Sequence, residues 1–507
     1  MNDDPSRPAA LERVPSGIPG LDAVLQGGLF RGGVYMVLGR PGAGKTILGN
    51  QICFRHVEAG GRAIFLTLLT ESHARLIAQL QTMSFFRAEL VGDGLSYVSG
   101  YESLEKEKLK GLLAVIRKIV RDHKATLLVI DGIVTAGSLA ESEVEMKKFI
   151  HELQALVELV GCTTLLLTGA NRADDQYPQR TMVDGLLQLS FDPVGMGIAR
   201  TIDVVKFRGG AVLLGRHQFE ITSAGIAVFP RTEALLGRDP KRPDDTGPPR
   251  VFGVSGLDAM LGGGLESSSI TMLLGAPGSG KTVLGLSFLA AGARAKLPGL
   301  YLGFFETPDQ LARKADAVGS DFSRQLRDGR IEIVWQPPLE LIADAVAERL
   351  LAAIRTRNAR LLFIDGIGPI RDAVIYPERT VRFLGALCNE LRARGVTTIL
   401  SDETRDLFGP ELELPLSGLG AMIDNLIVLR HVELRARLHR LVSVLKTRTG
   451  PSDPTLREFT IGKRGIDVSS TFESAEAILS GLARVVGTPA TAATPGRNRA
   501  TNKRRRK

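Results

Sequence analysis

Gly39–Thr46 reads GRPGAGKT and Gly275–Thr282 reads GAPGSGKT. Both satisfy G-x-x-x-x-G-K-[ST], in which a loop without bulky side chains lets backbone N–H groups close on phosphate oxygens. Each sits between a predicted strand, VYMVLG at 34–39 or ITMLLG at 270–275, and a predicted helix. That order gives such a match its meaning. The bland alternative for a single copy is a glycine-rich turn with a solvated lysine. Two copies in register, each followed by a strand ending in aspartate, argue against that reading. The sequence predicts two sites for a nucleoside triphosphate.

Working outward, GIPGLDAVLQGGL at Gly17–Leu29 reappears as GVSGLDAMLGGGL at Gly253–Leu265, at the same offset of 236 residues as the two loops. LLVIDG, carrying Asp131, reappears as LLFIDG, carrying Asp365, at 234 residues, and Lys206–Arg208 (KFR) as Lys446–Arg448 (KTR) at 240. Four landmarks in order mean a duplicated domain of about 230 residues. The reading places an N-terminal extension at 1–12 and a first domain at 13–230. A linker rich in proline and charge follows at 231–249, then a second domain at 250–472. A C-terminal segment with a disordered basic tail occupies 473–507.

Inside each repeat, short apolar runs alternate with longer stretches of helical periodicity. AIFLTLL, TLLVID and TTLLLTG match GLYLGFF, LLFIDG and TTIL. Between them lie helical patterns such as SEVEMKKFIHELQALVELVG and VRFLGALCNELRARG. Strands apolar throughout and separated by helices imply a parallel sheet covered on both faces. Hairpin-like strands are expected around Met182–Phe229 and Met422–Val468. The fold class is α/β, doubly wound and occurring twice.

Composition narrows the alternatives. The chain has 507 residues, of which 44% are apolar and 23% charged, so an ordinary globular protein of several domains is expected. Cys53, Cys162 and Cys388 are far apart, and neither they nor the seven histidines show metal-ligand spacing. No run approaches a membrane span and the first residues lack the apolar core of a signal peptide, so a cytoplasmic protein without membrane attachment is expected. The net charge is +9, but seven basic residues and no acid fill the last eleven positions, leaving +2 elsewhere. A surface built for nucleic acid is not indicated, although the tail could bind nucleic acid or acidic partners through phosphate contacts.

The chemistry assigns roles. Gly42, Ala43, Gly44, Lys45 and Thr46, with Gly278, Ser279, Gly280, Lys281 and Thr282, form the phosphate cradles. Lys45 and Lys281 neutralise the β- and γ-phosphates. Thr46 and Thr282 place a hydroxyl on magnesium, and Asp131 and Asp365 hold its water shell from the end of a neighbouring strand. Hydrolysis also needs a carboxylate to orient water, expected at the end of the strand beside the loop; Glu71 and Glu306 are the candidates, each also readable as a helix-start acid. Lys206 and Arg208, like Lys446 and Arg448, alternate along a late strand and share a face. They read as fingers reaching a phosphate or as a charged, solvated edge.

The GIPGLDAVLQGGLFRG segment, the GRPGAGKT loop, Asp131 and the KFR strand, all duplicated, closely resemble the KaiC family of circadian clock ATPases within the RecA superfamily. The resemblance covers Arg13–Phe229 and Arg250–Phe472. It implies two tandem RecA-like P-loop domains that use ATP and Mg2+, and a double-ring homohexamer with ATP at the subunit interfaces. Lys206, Arg208, Lys446 and Arg448 would then act in trans, and regulatory protein partners are implied.

Departures from the family pattern shape the expectation. Family members carry two consecutive glutamates after the second strand. Here Phe305 replaces the first of them before Glu306, and in the first domain Leu69 and Thr70 occupy the pair, with Glu71 displaced by one position. The clock protein's phosphoacceptor Ser–Thr pair falls on Gly420 and Ala421, and Ser417 lies three residues short. The leading expectation is a Mg2+-dependent ATPase whose nucleotide state governs partner binding. The alternatives are a serine/threonine protein kinase lacking the usual acceptor pair and a RecA-related DNA-binding motor.

Overall fold

Two nine-stranded sheets of identical strand order carry the chain. The computed structural model describes residues 12–69, 73–169, 179–194, 197–236, 247–404, 418–434, 437–448 and 453–469. Glu71, Ser417, the middle of the expected linker and the basic tail lie outside the described residues. By chain contacts there are two compact units. One gathers Met1–Asp244, Gln336–Ala359 and Ile367–Val396; the other gathers Asp245–Trp335, Arg360–Gly366 and Thr397–Lys507. Each sheet lies wholly within one unit.

In the first sheet the order is Leu95–Ser99, Ala63–Thr67, Leu127–Asp131, Thr163–Gly169, Val34–Gly39, Gly185–Val194, Gly197–Phe207, His217–Thr222 and Gly225–Phe229. The first six run parallel and the last three are added antiparallel. The second sheet repeats this as Ile331–Trp335, Gly299–Gly303, Leu361–Asp365, Thr397–Glu403, Ile270–Gly275, Asn425–Leu434, Arg437–Lys446, Arg457–Gly462 and Gly465–Val468. This is the tandem RecA-like α/β architecture, with its C-terminal hairpins, that the sequence predicts.

One expectation is corrected. The strand ending in Asp131 is not the neighbour of the phosphate-loop strand Val34–Gly39, because Thr163–Gly169 lies between them; Thr397–Glu403 does the same in the second sheet. The strand before Glu306, Gly299–Gly303, is three places from the loop strand rather than beside it. Chain order does not fix strand order in a doubly wound sheet, because each crossover helix can return its strand on either side.

Why the sheets are apolar throughout is plain in the first unit. Tyr35 and Val37 enter one core with Phe65, Val129 and Leu167. Val34, Met36 and Leu38 point the other way, into a core with Ile64, Leu128 and Leu166. Helix Lys45–Glu58 covers the first face through Leu48, Ile52 and Phe54, and helix Glu143–Val160 covers the second through Phe149, Ile150 and Leu153.

The duplicated G-L-D segment proves to be architectural. Asp22 accepts the N–H groups of Ser16 and Gly17 at 2.7 and 3.1 Å, and Asp258 those of Phe252 and Gly253 at 2.7 and 3.1 Å, fixing the entry of a short helix. A Cβ on Gly20 would lie 1.7 Å from the Val228 carbonyl oxygen, and one on Gly256 would lie 2.4 Å from that of Val468. Only glycine lets that helix close against the last strand.

Candidate functional site

Each phosphate loop lies at the carboxyl end of a central strand, where open α/β sheets bind their ligands, and runs into the N-terminus of a 14-residue helix. Gly44 and Gly280 cap those helices in the left-handed conformation, with φ of 100° and 107°. A Cβ there would meet Ile221 Cδ1 at 2.7 Å in the first loop and Ile461 Cδ1 at 2.7 Å in the second. The C-terminal hairpin of each sheet therefore backs directly onto its phosphate loop.

The structure places the loop residues together in both repeats. Lys45 Nζ donates to the carbonyls of Gly39 and Arg40 at 2.8 and 3.1 Å, and Lys281 Nζ to those of Gly275 and Ala276 at 2.8 and 3.0 Å. Both ammoniums curl back over their own loops. Burial lowers the pKa of each, opposed by Asp131 at Lys45 and by Glu403, Asp365 and Asp402 at Lys281. An anion that brings its own negative charge restores what burial removes. Ser279 Oγ is buried with no hydrogen-bond partner among the described residues.

The expected magnesium-facing groups differ between the copies. Thr46 Oγ1 donates to Asp131 Oδ2 at 2.9 Å, bringing the two hard oxygen donors of the first site side by side. A hydroxyl, a carboxylate and incoming phosphates are the donors Mg2+ prefers. At the second site Asp365 accepts from Tyr301 and Ser401 instead, each at 2.9 Å. Burial, with the Asp365 carboxylate beside it, pushes the Tyr301 hydroxyl far above the usual phenol range, so it stays a donor.

Glu306 is half-buried and ion-paired through Oε1 with Lys314, on helix Pro308–Ala317, while its Oε2 is buried without a partner. Its other reading also has support: Thr307, the next residue, caps that helix in a full capping box with Gln310. Phe305 is largely exposed.

The four candidate fingers bond within their own units, the two lysines half-buried and the two arginines exposed. Lys206 Nζ donates to the carbonyls of Thr181 and Val183, each at 2.7 Å, and Arg208 Nη2 to Thr181 at 3.1 Å. Lys446 Nζ donates to Gly420 and Ile423 at 2.6 and 2.8 Å, while Arg448 Nη1 meets Asp424 Oδ1 at 2.9 Å. That Lys206 and Arg208 reach one carbonyl agrees with their sharing a face.

Three features escape the sequence reading. Arg200 Nη1 donates to the Gly42 carbonyl at 3.0 Å and Arg440 Nε to the Gly278 carbonyl at 3.3 Å, so each loop is also held by an arginine. Their offset of 240 equals that of the KFR and KTR strands, which was the available signal. Asp402 and Glu403 extend the strand read only as TTIL, and Glu403 Oε1 lies 3.8 Å from Lys281 Nζ. Finally, the ladder slips by one residue beside each finger. Leu187 pairs with Val204 but Leu186 with Lys206, and Ile427 pairs with Val444 but Leu426 with Lys446. Val205 and Leu445 are the extra residues of two matching bulges.

Among the described residues no helix is long and apolar enough to cross a membrane. Comparison with known proteins finds the KaiC ATPase family model matching twice, at residues 14–233 and 251–473. The Circadian clock oscillator protein KaiC of Picosynechococcus sp. is 26% identical over 487 residues, covering 93% of this chain and 92% of that protein. The proteins named Circadian clock oscillator protein KaiC 1 of Synechocystis sp. and Circadian clock oscillator protein KaiC of Synechococcus elongatus are each 25% identical over 487 residues, with the same coverage.

Proposed function

The chain belongs to the KaiC family of ATPases, and from that premise we propose that it is a Mg2+-dependent ATP hydrolase with two unequal sites, assembled as a homohexameric double ring whose nucleotide state governs the binding of regulatory protein partners. The observation that carries the hydrolase reading is one arrangement built twice. In each copy a lysine curls over a glycine loop at a helix N-terminus, with a strand-end aspartate nearby.

In this reading Gly42–Thr46 and Gly278–Thr282 cradle the phosphates, and Lys45 and Lys281 swing from their carbonyl partners to the β- and γ-oxygens. Thr46 with Asp131, and Thr282 with Asp365, face the Mg2+, which supplies charge neutralisation on the phosphates when bound. Glu306 orients the attacking water at the second site and Glu71 does so at the first. Lys206 and Lys446, each held by two carbonyls, brace their strands. Arg208 and Arg448 reach the neighbouring subunit's nucleotide in trans. In the Arg448–Asp424 pair the guanidinium is half-exposed, while the carboxylate is buried and also accepts the Ile270 N–H, so Asp424 keeps a hydrogen bond when Arg448 swings to a phosphate.

Hydrolysis is favoured over autophosphorylation because Gly420 and Ala421 offer no hydroxyl at the family's acceptor positions. Incubation of the purified protein with γ-labelled ATP and Mg2+ tests the reading. Label released as free phosphate supports it. Label retained on the protein favours a kinase, and label in neither pool overturns both.

A further inference from the structure

At the second site the strand-end aspartate is gripped from two sides. Tyr301 OH donates to Asp365 Oδ2 at 2.9 Å and Ser401 Oγ to Asp365 Oδ1 at 2.9 Å. Ser401 Oγ in turn accepts from the Gly366 N–H at 2.8 Å, which leaves its proton for the carboxylate. Tyr301 is buried on the adjacent strand, its ring edge-on to Phe363 with centroids 5.6 Å apart. The fit depends on Gly303, where a Cβ would lie 2.3 Å from Tyr301 Cε1 and 2.7 Å from its hydroxyl oxygen.

The first sheet is built otherwise at the same places. Phe65 stands for Tyr301, Thr67 for Gly303 and Leu167 for Ser401; Phe65 and Leu167 carry no hydroxyl, the Thr67 hydroxyl accepts from the Leu69 N–H at 3.2 Å, and Asp131 takes the hydroxyl of Thr46. A carboxylate's terminal torsion is broad, and its orientation is fixed only by what it accepts. Two acceptor sites of about four are used by the Tyr301 and Ser401 hydroxyls, which leaves the others for a metal's water shell.

We propose that Tyr301 and Ser401 are positioning residues of the second nucleotide site, fixing Asp365 in the orientation that receives the hydrated Mg2+ of the bound nucleotide, while the first site orients Asp131 through Thr46. This rests on the reading of Asp365 as the Mg2+-facing carboxylate. Partners of this kind are worth about 10–100-fold in metal affinity. The two sites therefore respond to Mg2+ independently, through different residues.

The test uses the full chain carrying Lys45→Ala, so that only the second site reports. Binding of a fluorescent ATP analogue is titrated with MgCl2 and measured separately in EDTA. Tyr301→Phe removes one oxygen and leaves a ring that the first sheet already accommodates as Phe65. The Mg2+ concentration at half-maximal binding rises about tenfold while affinity in EDTA stays the same. Ser401→Ala moves it in the same direction and Ser401→Thr restores it. With Lys281→Ala as background, Tyr301→Phe leaves the first site's Mg2+ midpoint unmoved. An unmoved midpoint in Tyr301→Phe, where Asp365→Asn still shifts it, overturns the proposal alone. Equal losses with and without Mg2+ also overturn it, by reducing the hydroxyl to packing. No shift in Asp365→Asn overturns the underlying reading of that aspartate.

Discussion

Thr46 Oγ1 donates to Asp131 Oδ2 across 2.9 Å, joining the first residue pair of a helix to the tip of a strand two places away in the sheet. The contact sets the carboxylate before any nucleotide arrives. Thr46→Ala is expected to raise the Mg2+ requirement for nucleotide binding at the first site about tenfold, and Thr46→Ser to restore it. A magnesium titration of nucleotide binding in the Lys281→Ala background reads this directly.

The two loop lysines carry a pH dependence with a definite sign. Burial lowers both below the ordinary 10.5. Only the protonated ammonium offers charge to phosphate, so nucleotide affinity is full below the lowered value and is lost as pH rises through it, earlier than for an exposed lysine. Folding of the nucleotide-free chain runs the other way. The unfolded state binds more protons between the two values, so the lysines' contribution to stability increases with pH there. Site-resolved affinity measured from neutral to alkaline pH checks the first statement, and flat affinity through 10.5 contradicts it. Replacing either lysine with alanine is expected to abolish binding at its own site.

Glu306 and Glu71 are expected to differ in weight. Glu306 keeps the family's second carboxylate position, whereas Glu71 is displaced by one residue, a shift that reverses side-chain direction in extended chain. Glu306→Gln is expected to remove more ATPase activity than Glu71→Gln, by about tenfold or about 1.4 kcal/mol in barrier height. Steady-state phosphate release from the two variants decides it, and equal losses refute the asymmetry.

Action in trans has its own signature. Mixing a Glu306→Gln protomer with an Arg448→Ala protomer creates some interfaces that hold both native groups, so activity partly returns if the finger belongs to the neighbour. Co-assembled subunits without recovery mean that Arg448 serves its own chain.

The sequence made the fold legible because its evidence was periodic and doubled. Loops, apolar strands and G-L-D segments repeat in register, and each repeat builds the same sheet. Strand order was not legible, since a crossover's length does not say on which side its strand returns. Edge strands Leu95–Ser99 and Ile331–Trp335 were missed because their half-exposed faces dilute the apolar signal. At the sites, Lys45, Thr46 and Asp131 could be named from spacing alone. Tyr301 could not, because in a run such as GLYLGFF a buried tyrosine counts as one more apolar residue. Its hydroxyl matters only once the strand bearing Asp365 is known to lie beside it.

The extra residue in each long hairpin decides which cation addresses which side of the sheet. Arg200 and Lys206, like Arg440 and Lys446, are six positions apart, an even count that in unbroken strand would aim both at one face. Val205 and Leu445 change the parity. Arg200, paired with Phe191, stays on the side of the phosphate-loop helix and holds Gly42, whereas Lys206, paired with Leu186, emerges on the opposite side and holds Thr181 and Val183. A single strand thus serves two clienteles, its own loop on one side and the turn before the next strand on the other. Deleting either extra residue would remove the bulge yet keep the lysine on its present side, opposite Leu186 or Leu426, because five positions of unbroken strand also reverse the face.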